Sequence, residues 1–423
     1  MLVGFATFSE VMSTIGRVLL AFVILMIMVL IHETGHYTAG KLLKFKINEF
    51  SVGMGPKILS KKKKNGEVVS LRLLPLGGFC AFEGEDAEVK SEGAFNAQKP
   101  WKRIIVLVSG ALFNFVSAVL ICIVLFCAYG ESVAVVNKVY DYAPTFNQQL
   151  QQGDIIYKIN GKNVFVLDNI SRYMPDEDEE MTITVIKPNG EYQTYEGVKR
   201  QTFYSFYVTG VNGTFVSNVR ELAVGDMIYK IDGKSLYRQG DLLKYLEEAS
   251  ETCVVTVVSD AEYVYEISTT DLRNAVTVQE SSYVGVGMGI RYQTHKFAFG
   301  TALSRVLPYC GEVAMLVLRT LGGLFTGAVG LKDIGGPITT ISVTSQIVSY
   351  GFASVLSLIV LISVNLAVFN LLPVPALDGC RVVFVLIEWI AGKPINRKVE
   401  GWINTVGLFL LLGFVILVDL LKL

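Results

Sequence analysis

The chain has 423 residues, with 37 Lys and Arg against 38 Asp and Glu, so a net charge of −1 gives no global field that favours nucleic acid. Hydrophobic residues make up 52% and charged residues 18%, where an average soluble protein carries about 25% charged. With a mean hydropathy of +0.47 and six scattered cysteines without a CxxC pair, the composition argues against both a soluble domain and a disulfide scaffold.

The first predicted element runs from Arg17 toward Lys41, where the only formal charge is Glu33. Its helix would be ~36 Å long, enough for a hydrocarbon core of ~30 Å. A cleaved signal peptide is the rival reading, but no small-residue cleavage site follows the apolar core. A basic stretch comes next, with Lys41, Lys44, Lys46, Lys57, Lys61–Lys64 and Arg72. Within it "KKKKNG" reads as a polar turn between two strands near anionic headgroups of the membrane lipid. Ile104–Gly130 is a second, uncharged span.

The segment after Gly130 contains a repeat. "QQGDIIYKINGKNV" (Gln151–Val164) matches "AVGDMIYKIDGKSL" (Ala223–Leu236) at a shift of 72 residues, with eight of fourteen positions identical. Each copy continues into alternating β-branched and polar residues, so two copies of one small β-rich module are expected. The Gly-Asp-x-Ile-x-x-Ile pattern resembles PDZ domains. Further on, Phe297–Gly330 is apolar but interrupted by Arg305, Glu312 and Arg319. That pattern reads as an amphipathic helix on the interface rather than a span. Gly351–Leu372 and Gly401–Val418 are the last two spans.

Lys and Arg cluster between the first and second spans and again between the last two (Arg381, Lys393, Arg397, Lys398). Both loops are therefore expected in the cytoplasm, with the termini and the repeat outside. The expected fold is a polytopic α-helical membrane protein with four transmembrane helices, a membrane-associated β element and two inserted β-rich PDZ-like domains. Its expected parts are 1–130, 131–200, 201–280, 281–349 and 350–423.

The chemistry sits in the first span. His32-Glu33-Thr34-Gly35-His36 is an HExxH motif, whose two imidazoles fall on one helix face and can reach a single Zn2+. Glu33 stands beside them as a base for water. Ionisable groups inside a membrane helix are costly and normally functional. A catalytic zinc needs a third protein ligand and an open position. Asp333, Asp378, Glu388 and Asp419 are the acidic candidates in or beside later spans. His32 lies nine residues, or ~14 Å of helix, from Lys41, which puts the site in the cytoplasmic half. Asp378, at the cytoplasmic end of the third span in "FNLLPVPALDGC" (Phe369–Cys380), matches that depth. Pro373 and Pro375 break the helix there, and irregular backbone at that depth has to be protein-buried or line a wet cavity. Glu388 is the runner-up.

HExxH in a first span with "NLLPVPALDG" in a later one resembles the site-2 protease family of intramembrane metalloproteases. "EFSVGMGPKI", "LRLLPLGGFCAFEGE" and "VSGALFNFVSAVL" are similar to family segments as well, and the PDZ-like pair resembles the bacterial sigma-E-regulating branch. The resemblance implies His32, His36 and Asp378 as zinc ligands, Glu33 as catalytic base, and a substrate-engaging role for Asn370. It also implies that Gly53, Met54 and Gly55 belong to a re-entrant β element. An edge strand there is expected to hold an unwound peptide by strand addition. Substrates would be single-span membrane proteins, such as anti-sigma factors or remnant signal peptides, first shortened by an upstream site-1 protease. Cys380 departs from the family, where a second Gly is common. A scaffold that binds partner tails through its PDZ-like pair, with a vestigial metal site, is the alternative.

Overall fold

The computed structural model describes residues 8–85, 91–140, 150–167, 170–176, 179–217, 219–333 and 335–421. The chain forms two compact units, one of Met1–Glu131 with Lys296–Leu423 and one of Ser132–His295.

The first unit opens with helix α1 (Phe8–Leu42), bent strands β1 (Ile47–Lys62) and β2 (Val68–Phe82), and helix α2 (Pro100–Val124), which widens into a π turn at Leu125–Tyr129. β1 meets β2 twice. Its far arm pairs Leu59 with Leu71 and Lys62 with Val68, closing a hairpin, while its near arm pairs Val52 with both Leu71 and Gly78. Four arms result, in the order 57–62, 68–72, 47–52 and 78–82. Gly53 (φ +83°), Gly55 (φ +82°) and Gly77 (φ +81°) make the bends, in a region where a side chain would be strained. At the hairpin end Glu67 is buried and paired with Lys41 of α1 and with Lys63.

The second unit contains two sheets. Its elements are β3 (Glu131–Val139), β4 (Ile155–Ile159), β5 (Lys162–Asn163), β6 (Glu180–Ile186), β7 (Tyr192–Lys199), β8 (Gln201–Val211), β9 (Met227–Ile231), β10 (Lys234–Ser235), α3 (Asp241–Glu248), β11 (Thr252–Val258), β12 (Glu262–Ser268), α4 (Thr269–Ala275), β13 (Val276–Gly285) and β14 (Met288–His295). One sheet runs β14-β3-β4-β6-β7, the other β12-β11-β9-β8-β13. The sequence repeat is thus a repeat of fold. In each copy the Gly-Asp pair makes the turn into the central strand. Asp154 accepts from the Gln151 amide and pairs with Lys187, and Asp226 accepts from the Ala223 amide and pairs with Arg220. The sheets depart from simple tandem order. β14 closes the first sheet beside β3, so the second module (residues 201–285) lies between the parts of the first rather than after it. The expected 281–349 segment accordingly begins with the end of β13, of the second module, followed by β14, of the first.

Back in the first unit come α5 (Phe299–Thr326), α6 (Pro337–Val348), α7 (Phe352–Leu371), α8 (Asp378–Ala391) and α9 (Arg397–Leu420). Among the described residues five helices are long and apolar enough to cross a membrane, namely Ile15–Leu42, Pro100–Tyr129, α5, α7 and α9. That is one more than the four expected, and the addition is α5. Its interrupting charges are paired: Arg305 is 1% exposed and binds Glu131 through two hydrogen bonds of 2.7 and 2.6 Å, and Arg319 lies 3.6 Å from Glu312. A bidentate, charge-neutral pair lowers the cost of burying both ions. α1 and α2 pack closely because Gly35 rests on the backbone of Ser109 and Gly110.

Candidate metal centre

α1 carries His32 and His36 four residues apart, so both imidazoles leave the same face one turn from each other. α7 ends at Leu371, and the proline-containing turn places Asp378 at the first position of α8. This turn passes so close to the new helix that a side chain at 379 would collide with the Leu371 and Leu372 carbonyls. The Asp-Gly pair therefore lets the carboxylate approach the histidines. His32 Nε2 lies 2.9 Å and His36 Nε2 3.3 Å from Asp378 Oδ2, and the two Nε2 atoms are 3.1 Å apart. Among the described residues this is the only His, Cys, Asp and Glu group with metal-site spacing. Both His side chains are 9% exposed and the Asp378 side chain 20%.

Three donor atoms so close, with no room for hydrogens on all of them, fit a small cation. Zinc bonds of about 2.0–2.1 Å at tetrahedral angles put ligand atoms roughly 3.3 Å apart. The His36 Nδ1–H donates to the Val106 carbonyl at 2.8 Å, which turns the Nε2 lone pair toward the cluster. Two imidazoles and a carboxylate would hold such an ion with three protein ligands, the number found in hydrolytic zinc sites.

Glu33, His36 and Asp378 line one cleft of about 480 Å³ together with Met54, Phe79–Phe82 and Arg381. Glu33 lies beside the Cys80 backbone. Burial, reinforced by the nearby carboxylate of Glu33, pushes the Cys80 thiol far above its ordinary range.

The other sequence-derived candidates fall in different places. Met54 lines the cleft, whereas Gly53 and Gly55 do not. They belong to the internal bend, where Met54 pairs with Leu74. The arm whose outer edge faces the cleft is 78–82, not the Gly53–Gly55 segment. Asn370 is half-buried in the last turn of α7 and does not line the cleft. Glu388, the runner-up ligand, is buried away from the cluster and pairs with Arg103 at 2.5 Å and Arg397 at 3.0 Å. Asp419 accepts hydrogen bonds from Thr339. The Asp333 side chain lies outside the described residues.

Three residues of α2 were not picked out from the sequence: Val106, Gly110 and Asn114. A Cβ on Gly110 would lie 2.7 Å from both His32 Cε1 and His32 Nε2. Asn114 is fully buried, its amide nitrogen 3.4 Å from His32 Nδ1. An Asn within an apolar run is a signal in itself. Val106 leaves none, since only its carbonyl is used.

A family model described as Peptidase family M50 matches residues 20–414. A Clostridium perfringens protein provisionally named a zinc metalloprotease is 30% identical over 394 residues, covering 93% of this chain and 94% of its own. A Fusobacterium nucleatum protein with the same provisional name is 26% identical, covering 95% and 96%. The regulator of sigma E protease of Haemophilus influenzae is 26% identical, covering 92% and 94%. A match spanning nearly the whole chain, HExxH helix and Asp378 turn included, makes this protein a metallopeptidase of family M50.

Proposed function

We propose that the protein is an intramembrane zinc endopeptidase in which His32, His36 and Asp378 hold Zn2+ and Glu33 is the general base. The observation that carries the reading is the triad of donor atoms within a helical bundle, opening onto the cleft that also holds Glu33. Zinc, when bound, supplies Lewis acidity and lowers the pKa of water toward about 7. Glu33 takes a proton from water in the cleft and returns it to the leaving amide nitrogen. The edge of residues 78–82 offers backbone groups that hold an unwound substrate strand beside the reacting atoms. Unwinding is required because a helical substrate keeps its amides in internal hydrogen bonds.

Substrates on this reading are single-span membrane proteins, anti-sigma factors or remnant signal peptides among them, in line with the name of the Haemophilus relative. The cut takes place in a bacterial cell membrane, on the cytoplasmic side. Contact between the Tyr129 and Phe352 rings, 5.9 Å apart, supports four spans rather than five. On this reading the end of α2 and the start of α7 share one surface, so an even number of crossings separates them. If α5 crossed, α6 would have to return, and its 12 residues give ~18 Å against a core of ~30 Å. Both strand modules are read as PDZ-like. In the second, a cleft of about 400 Å³ between α3 and β13, lined by Leu242, Leu246, Val276 and Val278, suits a peptide end.

The test is cleavage of a model transmembrane substrate by purified wild type and Glu33→Gln, with and without a zinc chelator. Cleavage should vanish in the variant, which still binds zinc, and vanish reversibly on chelation. Activity surviving both changes refutes the proposal.

A further inference from the structure

α2 meets the HExxH helix at three positions spaced by four. The Val106 carbonyl takes the His36 Nδ1–H, Gly110 leaves room for both imidazoles, and Asn114 faces His32 Nδ1. Because the helices run antiparallel here, His36 meets the earlier of these positions and His32 the later. Each imidazole therefore has one α2 group behind it. For His36 the chemistry is complete. For His32 it is not, since a ring that ligates through Nε2 carries its proton on Nδ1 and needs an acceptor there.

The amide now presents its nitrogen, at 3.4 Å, while Asn114 Oδ1 is buried and has no hydrogen-bond partner. Turning the amide about its last bond exchanges two atoms of nearly equal size. It puts an acceptor opposite the Nδ1–H and gives the orphaned oxygen a partner. From this geometry we propose that Asn114 is a positioning residue, whose carboxamide oxygen accepts the His32 Nδ1–H and fixes the ring with Nε2 toward the metal. The inference rests on the metal-site reading above.

Zinc affinity of the purified full chain, measured by competition with a chromophoric chelator, tests it without recourse to proteolysis. Asn114→Leu keeps the volume and removes the acceptor, and should weaken zinc about 10–100-fold, the range for loss of such an outer partner. Asn114→Asp restores an acceptor and should bind more tightly than the Leu variant. In a His32→Ala background Asn114→Leu should have no further effect, whereas with His36→Ala its effect should persist; a general packing defect would appear in both. Wild-type affinity in Asn114→Leu, equal losses in the Leu and Asp variants, or an undiminished effect in the His32→Ala background would each overturn the proposal. A wild-type chain that binds no zinc, or binds it unaltered by His32→Ala, would instead refute the metal-site reading itself.

Discussion

Gly110→Ala isolates the role of space at the metal centre, because it changes no ligand and adds one methyl group. The new Cβ would sit 2.7 Å from His32 Cε1 and Nε2, and closer still to His36 Nε2. Non-bonded carbon contacts need ~3.5 Å, so the overlap is about 0.8 Å. Metal sites tolerate displacements of about 0.2 Å, so the imidazoles cannot absorb the clash and remain ligands. Nor can α1 easily move away, since Gly35 already packs on the Ser109 and Gly110 backbone. Overpacking of this kind costs about 1–3 kcal/mol. Charged to the metal site at 1.4 kcal/mol per decade, it weakens zinc roughly 5- to 150-fold. Zinc stoichiometry after gel filtration and chelator competition reads the effect, with circular dichroism to show that the helices persist. Gly311→Ala in α5, where an added Cβ meets nothing within 4 Å, is the control and should bind zinc like the wild type. Wild-type zinc affinity and full cleavage in Gly110→Ala would refute the packing argument.

Glu388→Gln should leave zinc content unchanged and lower the melting temperature. It strips a buried carboxylate from Arg103 and Arg397, and breaking such pairs costs about 3–5 kcal/mol; zinc loss with unchanged stability would return Glu388 to the ligand list. Glu67 gives a pH prediction. Burial alone would raise its pKa, but hydrogen bonds from Lys41, Lys63 and Asn65 outweigh burial and hold it at about 2, below the ordinary 4.5. A depressed folded pKa contributes stability that is fully present above pH 4.5 and is lost as pH falls toward 2. Amide protection of the β1–β2 hairpin, measured by hydrogen exchange, should therefore be flat above about pH 5 and decline below it; in Glu67→Gln the decline should be much reduced. A wild-type decline centred near neutral pH would contradict this assignment.

HExxH was legible because helix periodicity alone puts His32 and His36 on one face. Asp378 could be reached from sequence through membrane depth and the proline-broken turn, since both are properties of one short stretch. The α2 contribution could not. Which of its residues face the imidazoles depends on the register between two helices separated by some seventy residues, set by the seating of Gly35 on Ser109 and Gly110. The pairing of the charges in α5 and α8 was not legible for a similar reason. Arg305 and Glu388 find partners 174 and 285 residues away in sequence, and pairing is what permits their burial. The repeat showed that there are two β modules, but only strand pairing revealed β14 completing the first sheet. By itself, then, the sequence determined what local pattern can express: two histidines and a glutamate on one helix, an aspartate after a proline-broken turn and two related β modules. Tertiary structure alone decided which neighbours shape that chemistry, because a side chain's surroundings depend on how distant segments pack.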